Sequence, residues 1–151
     1  MKHFFKYKYG YINIDDENLY LTSSGNWQEA RELNEKNRAS IKKNNRRINN
    51  QKAFVYVTVT IIIILLFFML QNNRVSIGLS IGLISLAYYI NNYFRGEFGV
   101  RYKIPLAKIE SIEHYENNGL KINFKNADNE LDTETVYEVD EKGLVFLLGL
   151  K

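Results

Sequence analysis

The longest uninterrupted apolar run, Ala53 to Leu70, reads AFVYVTVTIIIILLFFML and holds 18 residues without a charge. A hydrocarbon core about 30 Å thick takes roughly 20 helical residues at about 1.5 Å each, so the run has the length of a membrane span. Its β-branched stretch Ile61 to Ile64 would suit a strand, but a strand as long as the whole run has no place in a small domain. Gln71 to Arg74 is polar, and Val75 to Ile90, VSIGLSIGLISLAYYI, is again uncharged. This second run extends through Asn91, Asn92, Tyr93 and Phe94 into the headgroup layer. Two spans joined by so short a tip predict an antiparallel transmembrane helical hairpin over residues 53–94.

The flanks read differently. Tyr7 to Ile14 predicts a strand that carries Tyr7, Tyr9 and Tyr11 on one face. Asp15, Asp16, Glu17 and Asn18 are turn residues, whose short polar side chains hydrogen-bond their own backbone. Leu19 to Thr22 returns as a strand, and Ser23 to Asn26 breaks it. From Trp27 to about Asn49 the chain is expected to be helical in part and then a basic linker. After the hairpin, Glu97 to Lys103 and Ala107 to Tyr115 predict strands, with Pro105 between them. Asn118–Gly119 is a hairpin-turn signal, because a tight turn of the favoured hand needs positive φ. Leu120, Ile122 and Phe124 alternate with Lys121, Asn123 and Lys125, the pattern of a half-buried strand. Leu131 to Val139 predicts the next strand. Asp140 would cap a short final helix with an apolar face of Leu144, Val145, Leu147 and Leu148. Neither β segment closes its own edges, so the expectation is one small antiparallel β domain built from both flanks, with the hairpin inserted at a loop.

Charge orients the hairpin. Seven basic residues and no acidic one lie between Lys36 and Lys52: Lys36, Arg38, Lys42, Lys43, Arg46, Arg47 and Lys52. Arg95, Arg101 and Lys103 follow the second run, whereas the tip carries Arg74 alone. The positive-inside rule then places both termini in the cytoplasm and the tip outside. Met1 to Tyr11 has no apolar core of a signal peptide, so the N-terminus is expected to stay where it is made. The seven cations are expected to touch anionic lipid headgroups, each contributing about 1 kcal/mol near the surface. A protein-docking role for the same stretch is the other reading. Nucleic acid is not an expected partner, because no aromatic residue interleaves these cations. The net charge of +3 does not change that picture.

Candidate chemistry is sparse. The absence of cysteine excludes disulfides, thiolate metal sites and thiol nucleophiles. His3 and His114 are far apart, and His114 reads as an ordinary strand residue. Asp132 and Glu134 share a strand face, as paired acid–base carboxylates would, but a solvated face has the same pattern. No phosphate-cradling loop or nucleophile elbow is present. No cofactor, metal or catalytic residue is expected, and the chain does not read as an enzyme. Gly78, Gly82 and Ser85 form a small-residue face on the second run, for packing either against the first run or in a homo-oligomer.

The stretches IPLAKIESIEHYENNGLKINFK, LDTETVYEV and DEKGLVFLLGL resemble the second half of bacterial pleckstrin-homology-like (PH-like) domains. In that family short strands lead to one closing C-terminal helix. The layout is similar to bacterial membrane proteins whose PH-like barrel is split by a two-helix transmembrane insertion. The resemblance covers the flanks, about residues 4–27 and 97–151, and the expected layout is strands at 1–30, a basic helical or linker segment at 31–52, the hairpin at 53–94, and the remaining strands and helix at 95–151. The family's final-helix tryptophan is absent, since Trp27 stands alone, and no phosphoinositide pocket is matched. The split β domain, the short uncharged hairpin and the missing catalytic set together lead to the expectation of a membrane-anchored interaction or scaffold module on the cytoplasmic face of a bacterial inner membrane, with a protein partner. A small ligand-sensing, oligomerising membrane effector, for example in phage defence, is the alternative.

Overall fold

The computed structural model describes residues 2–71 and 77–150. Strands β1 (His3–Tyr7), β2 (Gly10–Ile14) and β3 (Asn18–Thr22) form an antiparallel meander, followed by the short helix α1 (Trp27–Arg31). Helix α2 (Arg38–Gln71) and helix α3 (Ile77–Phe94) come next. A 3-10 turn at Arg95–Phe98 leads into β4 (Tyr102–Pro105). Another at Leu106–Lys108 leads into β5 (Ile109–Tyr115), β6 (Gly119–Lys125), β7 (Leu131–Val136) and helix α4 (Glu141–Leu148).

The strands make two antiparallel sheets, β1-β2-β3-β4 and β5-β6-β7. In the first, β3 pairs with β4 across the entire helical insertion, Leu19 opposite Ile104 and Leu21 opposite Tyr102. These four side chains are buried in one core that also holds Phe5, Ile12 and Ile14 from the N-terminal flank. Leu120, Ile122, Phe124 and Leu147 join it from the C-terminal flank. The hydrophobic effect, proportional to apolar area removed from water, therefore binds the two flanks into one unit. The outer edge of β1 is closed as well. Lys8 N–H donates to the Tyr137 carbonyl at 2.8 Å, and Asp140 N–H donates to the Lys6 carbonyl at 3.0 Å.

Local chemistry explains most element ends. Asp15 Oδ1 accepts the N–H groups of Glu17 and Asn18 at 3.0 and 2.8 Å, making the turn between β2 and β3. Asp140 caps α4 by accepting the Gly143 N–H at 2.6 Å. Gly143 is required by packing, since a Cβ there would stand 2.8 Å from Phe5 Cβ. Asn37 and Ser40 exchange bonds at the head of α2: Asn37 Oδ1 accepts Ser40 N–H at 2.7 Å and Ser40 Oγ accepts Asn37 N–H at 2.8 Å. This reciprocal cap satisfies donors that an open helix end would leave bare.

Several expectations shift. Tyr7–Ile14 is not one strand; the chain turns at Lys8–Tyr9, so Tyr7 lies on β1, Tyr9 in the turn and Tyr11 on β2. The hairpin turn after β5 sits one residue early, with positive φ at Asn117 and Asn118 and Gly119 N–H closing on the Glu116 carbonyl at 3.0 Å. Asparagine tolerates that conformation, which leaves Gly119 free to begin β6. Val145 is exposed, so the buried face of α4 runs through Gly143 and Leu147. The basic segment is no linker: from Arg38 onward it is the first half of α2, whose 34 residues make about 50 Å of continuous helix.

Among the described residues α2 is the one helix long and apolar enough to cross a membrane, and only 11% of its most apolar 18-residue window is buried within the protein. Val55 and Ile62, two turns apart, are the buried apolar residues of that half. Phe54 meets Phe94 edge-on, with ring centroids 5.4 Å apart, so the start of the apolar half of α2 lies beside the end of α3 and the two helices run antiparallel. The expected tip, apart from Gln71, lies outside the described residues, as do the first two residues of the second apolar run.

Candidate functional site

The junction between α2 and the strand domain is built by polar side chains. Asn44, buried at 6% exposure, lies on α2 opposite the approach to β4. Its Oδ1 accepts the Arg101 N–H at 3.0 Å and its Nδ2 donates to the Arg101 carbonyl at 3.0 Å. One carboxamide thus satisfies both backbone groups of a residue, as a neighbouring strand would. Three residues on, Arg47 reaches the same loop. Its Nη1 donates to the Glu97 carbonyl at 2.6 Å and pairs with Glu97 Oε2 at 3.2 Å, and its Nη2 donates to the Gly99 carbonyl. Gly99 must lack a side chain here, because a Cβ would meet the Tyr9 carbonyl oxygen at 2.5 Å and the Tyr7 hydroxyl at 2.7 Å.

Arg101 completes the cluster. It pairs with Glu97 at 2.6 Å and with Glu29 at 3.3 Å. Burial pushes the Glu29 carboxyl upward, but hydrogen bonds from the backbone and hydroxyls of Ser23 and Ser24 outweigh it and hold the group below its ordinary value. Arg47 is lowered from the usual guanidinium value, chiefly by burial and then by the charge of Arg101. Arg47 and Arg101 thus share the Glu97 carboxylate, and Arg101 also holds Glu29.

A second tie lies nearby. Lys36 was expected at the headgroups, but it is buried, with Nζ 2.9 Å from Asp132 and 3.1 Å from Glu134. Its ammonium lies over the rings of Tyr102 and Phe124, and the Tyr102 hydroxyl bonds Glu134. Burial first, and then the charge of Glu134, raise the Tyr102 hydroxyl well above its ordinary value. Asp132 and Glu134 are thus spent on Lys36 rather than forming a solvated face. Lys108 pairs with Glu35 at 2.7 Å, fastening the loop between α1 and α2 to the 3-10 turn that leads into β5.

Of the seven cations expected at the headgroups, Lys36 and Arg47 are internal ties, whereas Arg38, Lys42, Lys43, Arg46 and Lys52 are exposed. Lys42, Lys43, Arg46 and Arg47 line a cleft of about 840 Å³ between α2 and residues 29–34, which Arg101 also faces. Asn50 and Gln51 line it as well, next to the start of the apolar half of α2. Among the described residues no atom lies within 4 Å of a Cβ built on Gly78 or Gly82 of α3, so neither packs on the described part of α2; Ser85 is half-buried. His114 is exposed on β5, and among the described residues no group of three or more His, Asp or Glu is placed to hold a metal. The clamp by Asn44 escaped sequence reasoning, since Asn44 is one of several asparagines in a polar run.

No protein-family model matches the chain, and neither a curated protein nor a solved structure matches it.

Proposed function

We propose that the chain is a membrane-anchored interaction module: a PH-like β domain held against the cytoplasmic face of a bacterial inner membrane by the α2–α3 hairpin. The observation that carries this reading is the β3–β4 pairing across the insertion. A hydrogen-bonded sheet cannot have a bilayer running through it, so both ends of the insertion emerge on one side. If the apolar half of α2 crosses the membrane, α3 must return. Apolar side chains along α2 such as Val57, Ile61 and Ile63 are more than half exposed among the described residues, and lipid is the solvent that suits them. Flanking cations put the β domain in the cytoplasm. The arrangement of four strands, then three, then one closing helix supports the PH-like assignment, and the role is binding rather than catalysis.

The test is crosslinking affinity purification from carbonate-washed native membranes. The reading predicts that the chain stays in the washed pellet and recovers a recurring protein partner. Repeated recovery of none overturns the interaction role, and release by carbonate overturns the anchoring. The open glycine face of α3 favours a second reading, a ligand-sensing effector that oligomerises in the bilayer. Size measurement in mild detergent decides it: a monomer unchanged by Gly82→Leu removes that reading.

A further inference from the structure

The cleft beside α2 combines features that the anchoring role does not use. Its wall carries Lys42, Lys43 and Arg46, none of which has a carboxylate partner among the described residues, although an acidic residue, Glu32, also faces the cleft. Glu29 faces it too, but its carboxylate is already taken up by Ser23, Ser24 and Arg101. Arg47 and Arg101 compete for Glu97, at 3.2 and 2.6 Å. A concave site with more cations than its own carboxylates can neutralise attracts an anion. Guanidinium groups present forked donors that match phosphate oxygens.

The position of the cleft narrows the anion. Arg46 is seven residues before Ala53, hence about 10 Å along the helix from the start of the apolar half. The polar layer of one leaflet is roughly 5–7 Å deep, and a lysine or arginine side chain spans most of the remaining gap. Asn50 and Gln51 continue the wall toward the membrane. The cleft thus lies within reach of a headgroup from the side, next to the helix that anchors it.

We propose that this cleft binds the phosphate-bearing headgroup of an anionic bilayer lipid, with Lys43 and Arg46 as the exposed ligands and Arg47 and Arg101 behind them. The assignment rests on the anchoring proposed above, and it differs from diffuse attraction between a basic helix and a charged surface. Diffuse attraction grows as a cation approaches the membrane, so Lys52, the cation nearest the apolar half, would matter most. The cleft makes the opposite ranking, because Lys52 is not part of its lining.

The experiment is native mass spectrometry of the full chain released from phosphatidylcholine nanodiscs, titrated with phosphatidylglycerol. Wild type, Lys43→Gln, Arg46→Gln and Lys52→Gln are compared. The cleft predicts one retained phosphatidylglycerol per chain, with each cleft variant weakening retention about fivefold and Lys52→Gln less than about twofold. A larger loss for Lys52→Gln than for Arg46→Gln, equal losses in all variants, or no preference over phosphatidylcholine overturns the site. Glycerol phosphate or inorganic phosphate added free at matched concentration should not displace the lipid; displacement identifies a soluble phosphate as the ligand and overturns the lipid assignment. A chain that embeds in the discs yet shows no preference fails the cleft alone. A chain that does not embed fails both readings.

Discussion

Replacing Asn44 with alanine removes the clamp that joins α2 to the strand domain. The carboxamide holds both the N–H and the carbonyl of Arg101, at 3.0 Å each. Leaving a buried backbone group unsatisfied costs about 1–3 kcal/mol. Arg101 is only half-buried, so water reaches part of the seam and the low end applies to each group. The expected loss is about 2–3 kcal/mol, and the melting temperature in detergent falls by roughly 5–10 °C. Asn45→Ala is the matched control: Asn45 is its exposed neighbour on α2, and such surface changes stay within about 0.5 kcal/mol. Hydrogen exchange gives the local readout. The Arg101 amide should lose its protection in Asn44→Ala while β6 amides keep most of theirs. If Asn44→Ala melts with Asn45→Ala and the Arg101 amide stays protected, the clamp does not hold the helix and the reasoning fails.

Lys36→Met should destabilise the β domain by about 3 kcal/mol, because it strands Asp132 and Glu134 beside Tyr102 without a counter-charge. A triple variant that adds Asp132→Asn and Glu134→Gln should recover most of the melting temperature, and no recovery would show that Lys36 acts by packing alone. Gly143→Ala should cost about 1–3 kcal/mol by thermal melt, since its Cβ would stand 2.8 Å from Phe5, whereas Gly149→Ala at the end of α4 should be near neutral. Glu29 sits below its ordinary value of 4.5, so its stabilising contribution is present above that pH and is lost as pH falls through the depressed folded value. Melting curves of wild type and Glu29→Gln should therefore be furthest apart above the ordinary value and draw together as the pH is taken progressively below it; a gap that does not narrow on acidification would show that the carboxylate charge is not what stabilises.

Where neighbours in sequence decide the structure, the sequence was legible. Asp15 and Asp140 announce a turn and a cap because each bonds backbone within a few residues of itself. The alternation of Leu120, Ile122 and Phe124 marks a strand face because the pleat has period two. The turn at Lys8–Tyr9 was hidden, since neither residue is a turn former and Gly10 comes after it. The fates of the basic residues depended on distant partners. Lys36 finds Asp132 across 96 positions of sequence, and Arg47 finds Glu97 across 50. Nothing local separates them from Lys43 and Arg46, which stay exposed on the cleft wall. The cleft was therefore present in the sequence only as a run of positive charge. Its wall from residues 29–34 exists because the bridge between Glu35 and Lys103 brings that loop to the edge of β4.

The central claim is that one β domain is interrupted by a membrane hairpin, with both flanks on the same, cytoplasmic side. The chain has no cysteine, so a single introduced cysteine reports unambiguously. The most direct measurement is labelling of Ser24→Cys, Asn73→Cys and Asn129→Cys in cells with a membrane-impermeant maleimide, before and after permeabilisation. The reading predicts that Asn73→Cys labels in intact cells and that Ser24→Cys and Asn129→Cys label only after permeabilisation. Labelling of Ser24→Cys and Asn129→Cys from opposite sides, or of all three alike, would contradict it.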